Sequence, residues 1–281
     1  MNDSRGGRVS GRMAIVPRLA SLFLLPSFAF AVPAWQAELT SSAAGALAPP
    51  VPSVLEYQIS WKGMVQAGTT RIEFAPADAR KPGSYVVRSQ SASVGAASLL
   101  FAYQSNFWSE MDPTSLRPRF FRAVETDDKE SVTTEVRHFS NRAESREINR
   151  NLKSGLSKQT DRVFQFSPVF DIFSAMLHVR SQKLDSGDSI VLALMPFDTP
   201  YLLRVKVEGR ELHNGRAAIR LNVGMRKIDR TTLELKAYKK LKRDATLWLS
   251  DDADRVPIEL RAAVFIGDVR ASLVAHRKAG K

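Results

Sequence analysis

From Leu55 the chain alternates in polarity: Leu55, Tyr57, Ile59 and Trp61 are interleaved with Glu56, Gln58, Ser60 and Lys62. A period of two sends successive side chains to opposite faces, which a half-buried strand needs and a helix cannot use. The same period returns in Tyr201, Leu203, Val205 and Val207. It resumes after Asn214-Gly215 in Ala217, Ile219, Leu221, Val223 and Met225. Asn-Gly accepts the left-handed conformations of a two-residue hairpin, so these two runs are predicted to pair. Further strands are expected over 70–74, 85–92, 104–111, 117–125, 131–139, 232–238, 246–249, 256–266 and 269–276, with turn formers such as Lys62-Gly63, Pro82-Gly83 and Asp112-Pro113 between several of them. Residues 96–103 read as a short helix or covering loop. Successive strands joined by short turns make an antiparallel meander. The expected fold is all-β, mainly antiparallel: a curved sheet or partial β-barrel with one short helix.

That helix is predicted over 168–180. Ser167 can cap it, Pro168 suits the first position, and Val169, Ile172, Phe173 and Met176 share one face, which suits a helix plugging or covering the sheet.

Residues 1–31 read as a cleavable signal peptide. Arg5, Arg8, Arg12 and Arg18 supply the basic start, Leu19 to Phe30 the apolar run, and Ala29-Phe30-Ala31 the small residues before a cut. Residues 32–53, rich in Ala, Pro and Ser, are expected to be a flexible lead. A single β-rich domain then occupies 54–276 and a basic tail 277–281. The expected location is the periplasm, with mature chains starting at Val32. A membrane-spanning β-barrel is the alternative, weakened by charged residues on alternating faces and by an ending without a terminal aromatic.

The chain of 281 residues has no cysteine, which excludes disulfides, thiol nucleophiles and a lipidated lipoprotein cysteine. Its four histidines, His138, His178, His213 and His276, are far apart and lack the spacing of a zinc-binding helix. No G-x-S-x-G motif is present. No cofactor and no catalytic residue are therefore expected. The formal charge of +12 favours anionic partners, and export disfavours nucleic acid among them.

Two binding patches are expected. Tyr57, Trp61, Phe107, Trp108 and Phe120 are candidate linings for an apolar ligand inside the curved sheet. The basic run from Arg226 to Arg243 is read either as an anion-binding edge centred on Lys239, Lys240, Lys242 and Arg243, or as a solvated hairpin whose lysines discourage edge pairing. The acidic cluster Asp251, Asp252 and Asp254 falls between two strand patterns and reads as a turn, since it lacks the glycine and terminal glutamate of a calcium loop.

The ending around that cluster, W-L-S-D-D from Trp248, R-V-P-I-E-L from Arg255 and G-D-V-R-A-S-L from Gly267, resembles a bacterial family known as domain of unknown function 3108. Leu55-Glu56-Tyr57, Ser60-Trp61, Ala67-Gly68-Thr69, Phe170-Asp171, Ser174-Ala175 and Gly187-Asp188 match it in order. The resemblance implies a secreted, mainly β envelope protein and transfers no catalytic residue. One departure is Met176-Leu177-His178-Val179-Arg180, where the family tends to be rich in tyrosine before an arginine. The reading that results is an exported, non-enzymatic binding or carrier module for an apolar or lipid-like envelope ligand. Its rival is an assembly partner of another envelope protein.

Overall fold

The computed structural model describes residues 32–76, 83–239, 241–264 and 267–279. The expected signal peptide and Lys240 lie outside the described residues. In chain order the elements are α1 (Ala34–Ala37), β1 (Ser53–Trp61), β2 (Val65–Phe74), β3 (Tyr85–Ser93), α2 (Ala96–Leu100), β4 (Gln104–Met111), β5 (Pro118–Thr126), β6 (Glu130–His138), β7 (Ala143–Asn151) and β8 (Ser157–Phe164). They continue with α3 (Ile172–Ser181), β9 (Ser189–Leu194), β10 (Tyr201–His213), β11 (Arg216–Ile228), β12 (Leu235–Ala237), β13 (Ala245–Ser250), β14 (Pro257–Val264) and β15 (Gly267–Lys278).

Two antiparallel meanders share one sheet. The first runs β1 to β8. The second returns from β9 to β15, and β15 pairs with β1 from Ser53↔Lys278 to Trp61↔Val269. The spatial order is β8-β7-β6-β5-β4-β3-β2-β1-β15-β14-β13-β11-β10-β9, with β12 added to the end of β11. β8 and β9 end that order without pairing with each other, so the sheet is open. A membrane-spanning barrel must close its edges, and this sheet does not. The outer edge of β9 is met instead by Phe170, whose N–H donates to Ala193 O at 2.9 Å, and by Thr40, whose N–H donates to Val191 O at 3.0 Å. No helix among the described residues is long and apolar enough to cross a membrane.

The sheet curls around side chains of its own. Leu55, Phe74, Val87, Met111, Phe121, Val136, Phe164, Val191 and Leu202, drawn from strands across both meanders, belong to one buried cluster. Phe173 and Leu177 of α3 fill it further. Across β9 the chain is covered on both faces: Val191 and Ala193 join this cluster, while Ile190, Leu192 and Leu194 join a second one with Ala175, Val179, Val205 and Ile219. That two-sided burial explains the unbroken apolar run of β9, which carries no alternation to read.

Four expectations are corrected. The segment 32–53 is not a free lead: Trp35 is buried, and its Nε1 donates to Leu233 O at 2.7 Å. Gly45 N donates to Ser181 Oγ at 2.8 Å, and Pro50 O accepts from the Tyr85 hydroxyl at 2.6 Å. Composition suggested flexibility, but one tryptophan and several backbone partners tie the segment down. The cap of α3 is Asp171, not Ser167, because the Asp171 carboxylate accepts from Phe173 N at 2.8 Å and Ser174 N at 2.9 Å. The tail expected from 277 begins inside β15, where Arg277 and Lys278 pair with Val54 and Ser53. Strands β7, β8 and β9 add to those the alternation predicted.

Candidate functional site

On the face of β10, β11, β13, β14 and β15 turned away from both clusters, polar side chains wall a solvent-open groove of about 860 Å³. Register builds it. Arg220 lies beside Trp248 and Trp248 beside Glu259, while the next row sets Asn222, Thr246, Arg261 and Arg270 side by side. On β11 and β13 these alternate with the inward residues Ile219, Leu221 and Leu249, so burial of the one set places the other in the groove.

Trp248 forms the floor and is nearly out of solvent. The His213 ring stacks on it at 4.1 Å between centroids with the planes 12° apart. The Arg261 guanidinium lies 4.8 Å from the Trp248 ring centroid and that of Arg220 5.9 Å, both within cation–π range. Trp248 Nε1 donates to Glu211 Oε1 at 2.7 Å. Beside it Glu259, only 3% exposed, contacts His213 Nε2 at 3.0 Å and accepts from Asn214 Nδ2 at 3.1 Å and from Arg261 Nε. Burial pushes the Glu259 carboxyl up, but the hydrogen bonds of Arg261 and His213 outweigh it and hold the group below the usual carboxylate range.

The chemistry available is recognition. Glu259 is kept ionised and both its oxygens are engaged, so it is a weak base. Arg220 is matched by Glu208 at 2.8 Å and Arg270 by Asp268 at 3.1 Å. Arg243 and Asp244 also line the groove without an ion pair among the described residues, the Asp244 carboxylate lying against Gly224 and Arg243 exposed. No group of three His, Asp or Glu side chains suited to a metal ion occurs among the described residues.

The structure divides both predicted patches. Tyr57 and Phe107 point inward, Tyr57 giving its hydroxyl to Pro257 O at 2.9 Å and Phe107 packing on Phe121 and Phe197. Trp108 and Phe120 stand on the opposite face under Arg88 and Arg137, and Trp61 is exposed at a strand end. The five therefore line no common cavity. Within the basic run, Lys236 pairs with Asp229 at 2.6 Å and Arg226 donates to Leu235 O, while Ile228 is buried. Lys239, Lys242 and Arg243 are exposed, and of these Arg243 faces the groove.

The aspartate cluster is a turn. Asp252 Oδ1 accepts from Asp254 N at 2.9 Å, Arg255 N at 3.0 Å and Ser250 Oγ at 2.8 Å. Asp251 pairs with Arg210 and Asp254 with Lys278. Sequence reasoning missed His213, Trp248, Glu259 and Arg261 as a group because they are distant along the chain. The available signal was that Trp248, Glu259, Asp268 and Arg270 all fall in the motifs of the chain's ending.

Residues 56–274 match the family model DUF3108, described as a protein of unknown function. No curated protein matches the sequence. Among solved structures, a β-barrel-like protein of domain of unknown function DUF1849 from Brucella abortus superposes with a TM-score of 0.53. It is 11% identical, and the match covers 83% of this chain and all of that one. The likeness is one of fold. A protein with a YmcC-like fold from Bacteroides fragilis covers 84% of this chain and 100% of its own at 9% identity, with a TM-score of 0.32, which carries no argument.

Proposed function

The chain belongs to the DUF3108 family of proteins of unknown function, and we propose that it is an exported, periplasmic, non-enzymatic binding module for an envelope component. The observation that supports this best is the preformed groove around Trp248, lined by an exposed Arg243 that forms no ion pair among the described residues. An apolar cargo enclosed by the sheet has less support, because Phe173, Leu177 and Trp35 occupy the interior. The ligand is instead one with a charged, hydrogen-bonding head, such as a phosphorylated or carboxylated lipid headgroup or saccharide, taken from outside.

Arg243→Gln tests this. Phosphorylated and carboxylated headgroups and saccharides are titrated against wild type, Arg243→Gln and Lys239→Gln, with thermal shift and calorimetry as readouts. Wild type and Lys239→Gln should respond alike, and Arg243→Gln should bind about tenfold or more weakly, as befits loss of a charge-assisted hydrogen bond. No response by wild type, or equal binding by Arg243→Gln, removes the groove as the binding site.

A further inference from the structure

We infer that one rim of the curved sheet docks onto an anionic lipid bilayer. The observation is a set of strand-end turns that carry apolar side chains where turns are normally polar. The β1–β2 turn shows Met64 at 79% exposure with Val65 and Trp61 beside it. The β3–β4 connection shows Leu99 at 88%, Leu100 at 90% and Phe101 at 56%. Helix α2, which carries two of these, has no buried residue, and its Leu99 and Leu100 side chains stand almost wholly in solvent.

These turns belong to the same end of the sheet and touch in sequence around it. Val94 N donates to Ala67 O at 3.1 Å, joining the α2 connection to β2. Lys62 N donates to Asp268 O at 2.7 Å, and Trp61 lies against the backbone of Gly267, joining β1 to the start of β15. Lys242 N donates to Ala263 O at 2.8 Å, bringing in the basic run. Lys62, Lys239 and Lys242 are exposed along this rim, next to the apolar tips and without ion pairs among the described residues. Arg270 and Asp268 neutralise each other there.

The opposite end serves as an internal comparison. Its turns are built on Asp112, Asn141, Asn214 and Asp252, and Val51, Phe139, Val163 and Leu212 are exposed large apolar residues at this end, none of them part of an apolar run like Leu99-Leu100-Phe101. Polar turns occur at the docking end too, on Asp127 between β5 and β6 and on Asp229 after β11, so it is the β1–β2 turn and the β3–β4 connection that break the usual rule.

Charge selects the occupant. Apolar and indole side chains ringed by lysines match an anionic interface, where the apolar groups enter the acyl boundary and the ammonium groups meet phosphates. A protein groove of the same size would need shaped pockets and acidic partners for several mobile lysines. The docking does not depend on the ligand groove, and Arg243, which faces that groove, is left out of its test.

Cosedimentation with vesicles of phosphatidylglycerol and phosphatidylcholine, and of phosphatidylcholine alone, tests the inference, with wild type and variants carrying the same N-terminus as verified by mass. Wild type should bind the anionic vesicles more tightly, and brominated lipid should quench its tryptophan emission. Leu99→Ser/Leu100→Ser, which alters two side chains that support nothing in the fold, should bind about tenfold or more weakly. Lys62→Gln/Lys239→Gln/Lys242→Gln should lose about fivefold per lysine on anionic vesicles at low salt, and the difference should fade at 1 M salt. Leu212→Ser at the opposite end should bind as wild type does. Failure of wild type to bind, or binding by the Leu99→Ser/Leu100→Ser variant equal to wild type, overturns the inference. Capture of a protein by wild type that fails to bind vesicles would assign the rim to that partner instead.

Discussion

Glu259 illustrates how a buried charge is tolerated in this sheet. It is removed from water, yet His213, Asn214 and Arg261 converge on its two oxygens, and its carboxyl is held below its ordinary value of 4.5. A carboxylate whose pKa is depressed on folding contributes stability that is present above its unfolded value and is lost as pH falls through the folded one. Glu259→Gln keeps the shape but removes the charge and leaves the three donors poorly matched. It should destabilise the protein by about 1–3 kcal/mol at pH 7, less than a fully buried pair because Arg261 reaches solvent. Urea unfolding at pH 7 measures the gap, which should shrink as pH is lowered past 4.5. A gap that stays constant with pH would mean that packing, and not charge, is what Glu259 supplies.

At the scale of elements, α3 is the piece that holds separate segments together. Arg180, 5% exposed, donates Nε to Asp254 O at 2.6 Å, Nη2 to Ala253 O at 3.3 Å and Nη1 to Ala48 O. Arg255 returns the contact, giving its guanidinium to the carbonyls of Arg180, Gln182 and Lys183 at the end of the helix. The SDDADR turn, the helix and the 32–53 segment are thus one assembly. Arg180→Met keeps the stem but strands buried carbonyls, and should cost about 3 kcal/mol. Denaturant unfolding checks the size, and limited proteolysis should show new cuts near 46–50 and 251–254. Cleavage unchanged at both places would separate the segments. This assembly also marks what the sequence could show. Hairpins such as β10–β11 were legible, because one face is buried and Asn214-Gly215 sets the turn. β7 and β8 were not, since Ala143, Ser145 and Phe164 are their buried residues and the remaining side chains are largely polar and exposed. The partners of Arg180 are backbone atoms, which leave no residue signature at all. The groove was hidden for a related reason: its members are paired across strands, and register is a property of the folded sheet.

Over the whole molecule the same burial predicts an acid limit. The ring nitrogens of His138 and the whole side chain of His178 are out of solvent, and desolvation lowers both from 6.5 to about 4. His178 is fully buried, with its ring 5.0 Å from that of Phe170. Between about pH 6.5 and 4 the unfolded chain binds protons at these rings that the folded chain refuses, so stability falls as pH falls through that window. Each ring accounts for up to about 3 kcal/mol across it. Asp171 acts in the other sense: burial raises its carboxyl, so folding favours its protonated form and stability is lost as pH rises through its folded value. Glu259, whose carboxyl is held low, sides with the two histidines against this one carboxyl, so the net slope on the way down to pH 4 should be towards instability in acid. His178→Phe retains an aromatic against Phe170 and removes one titration. Its unfolding free energy, measured from pH 7 down to pH 4, should fall less steeply than that of wild type, by about half if the two rings contribute equally. Parallel curves for the two proteins would show that the ring of His178 titrates alike in the folded and unfolded chain, and that the acid limit is set by the carboxylates, Glu259 first among them.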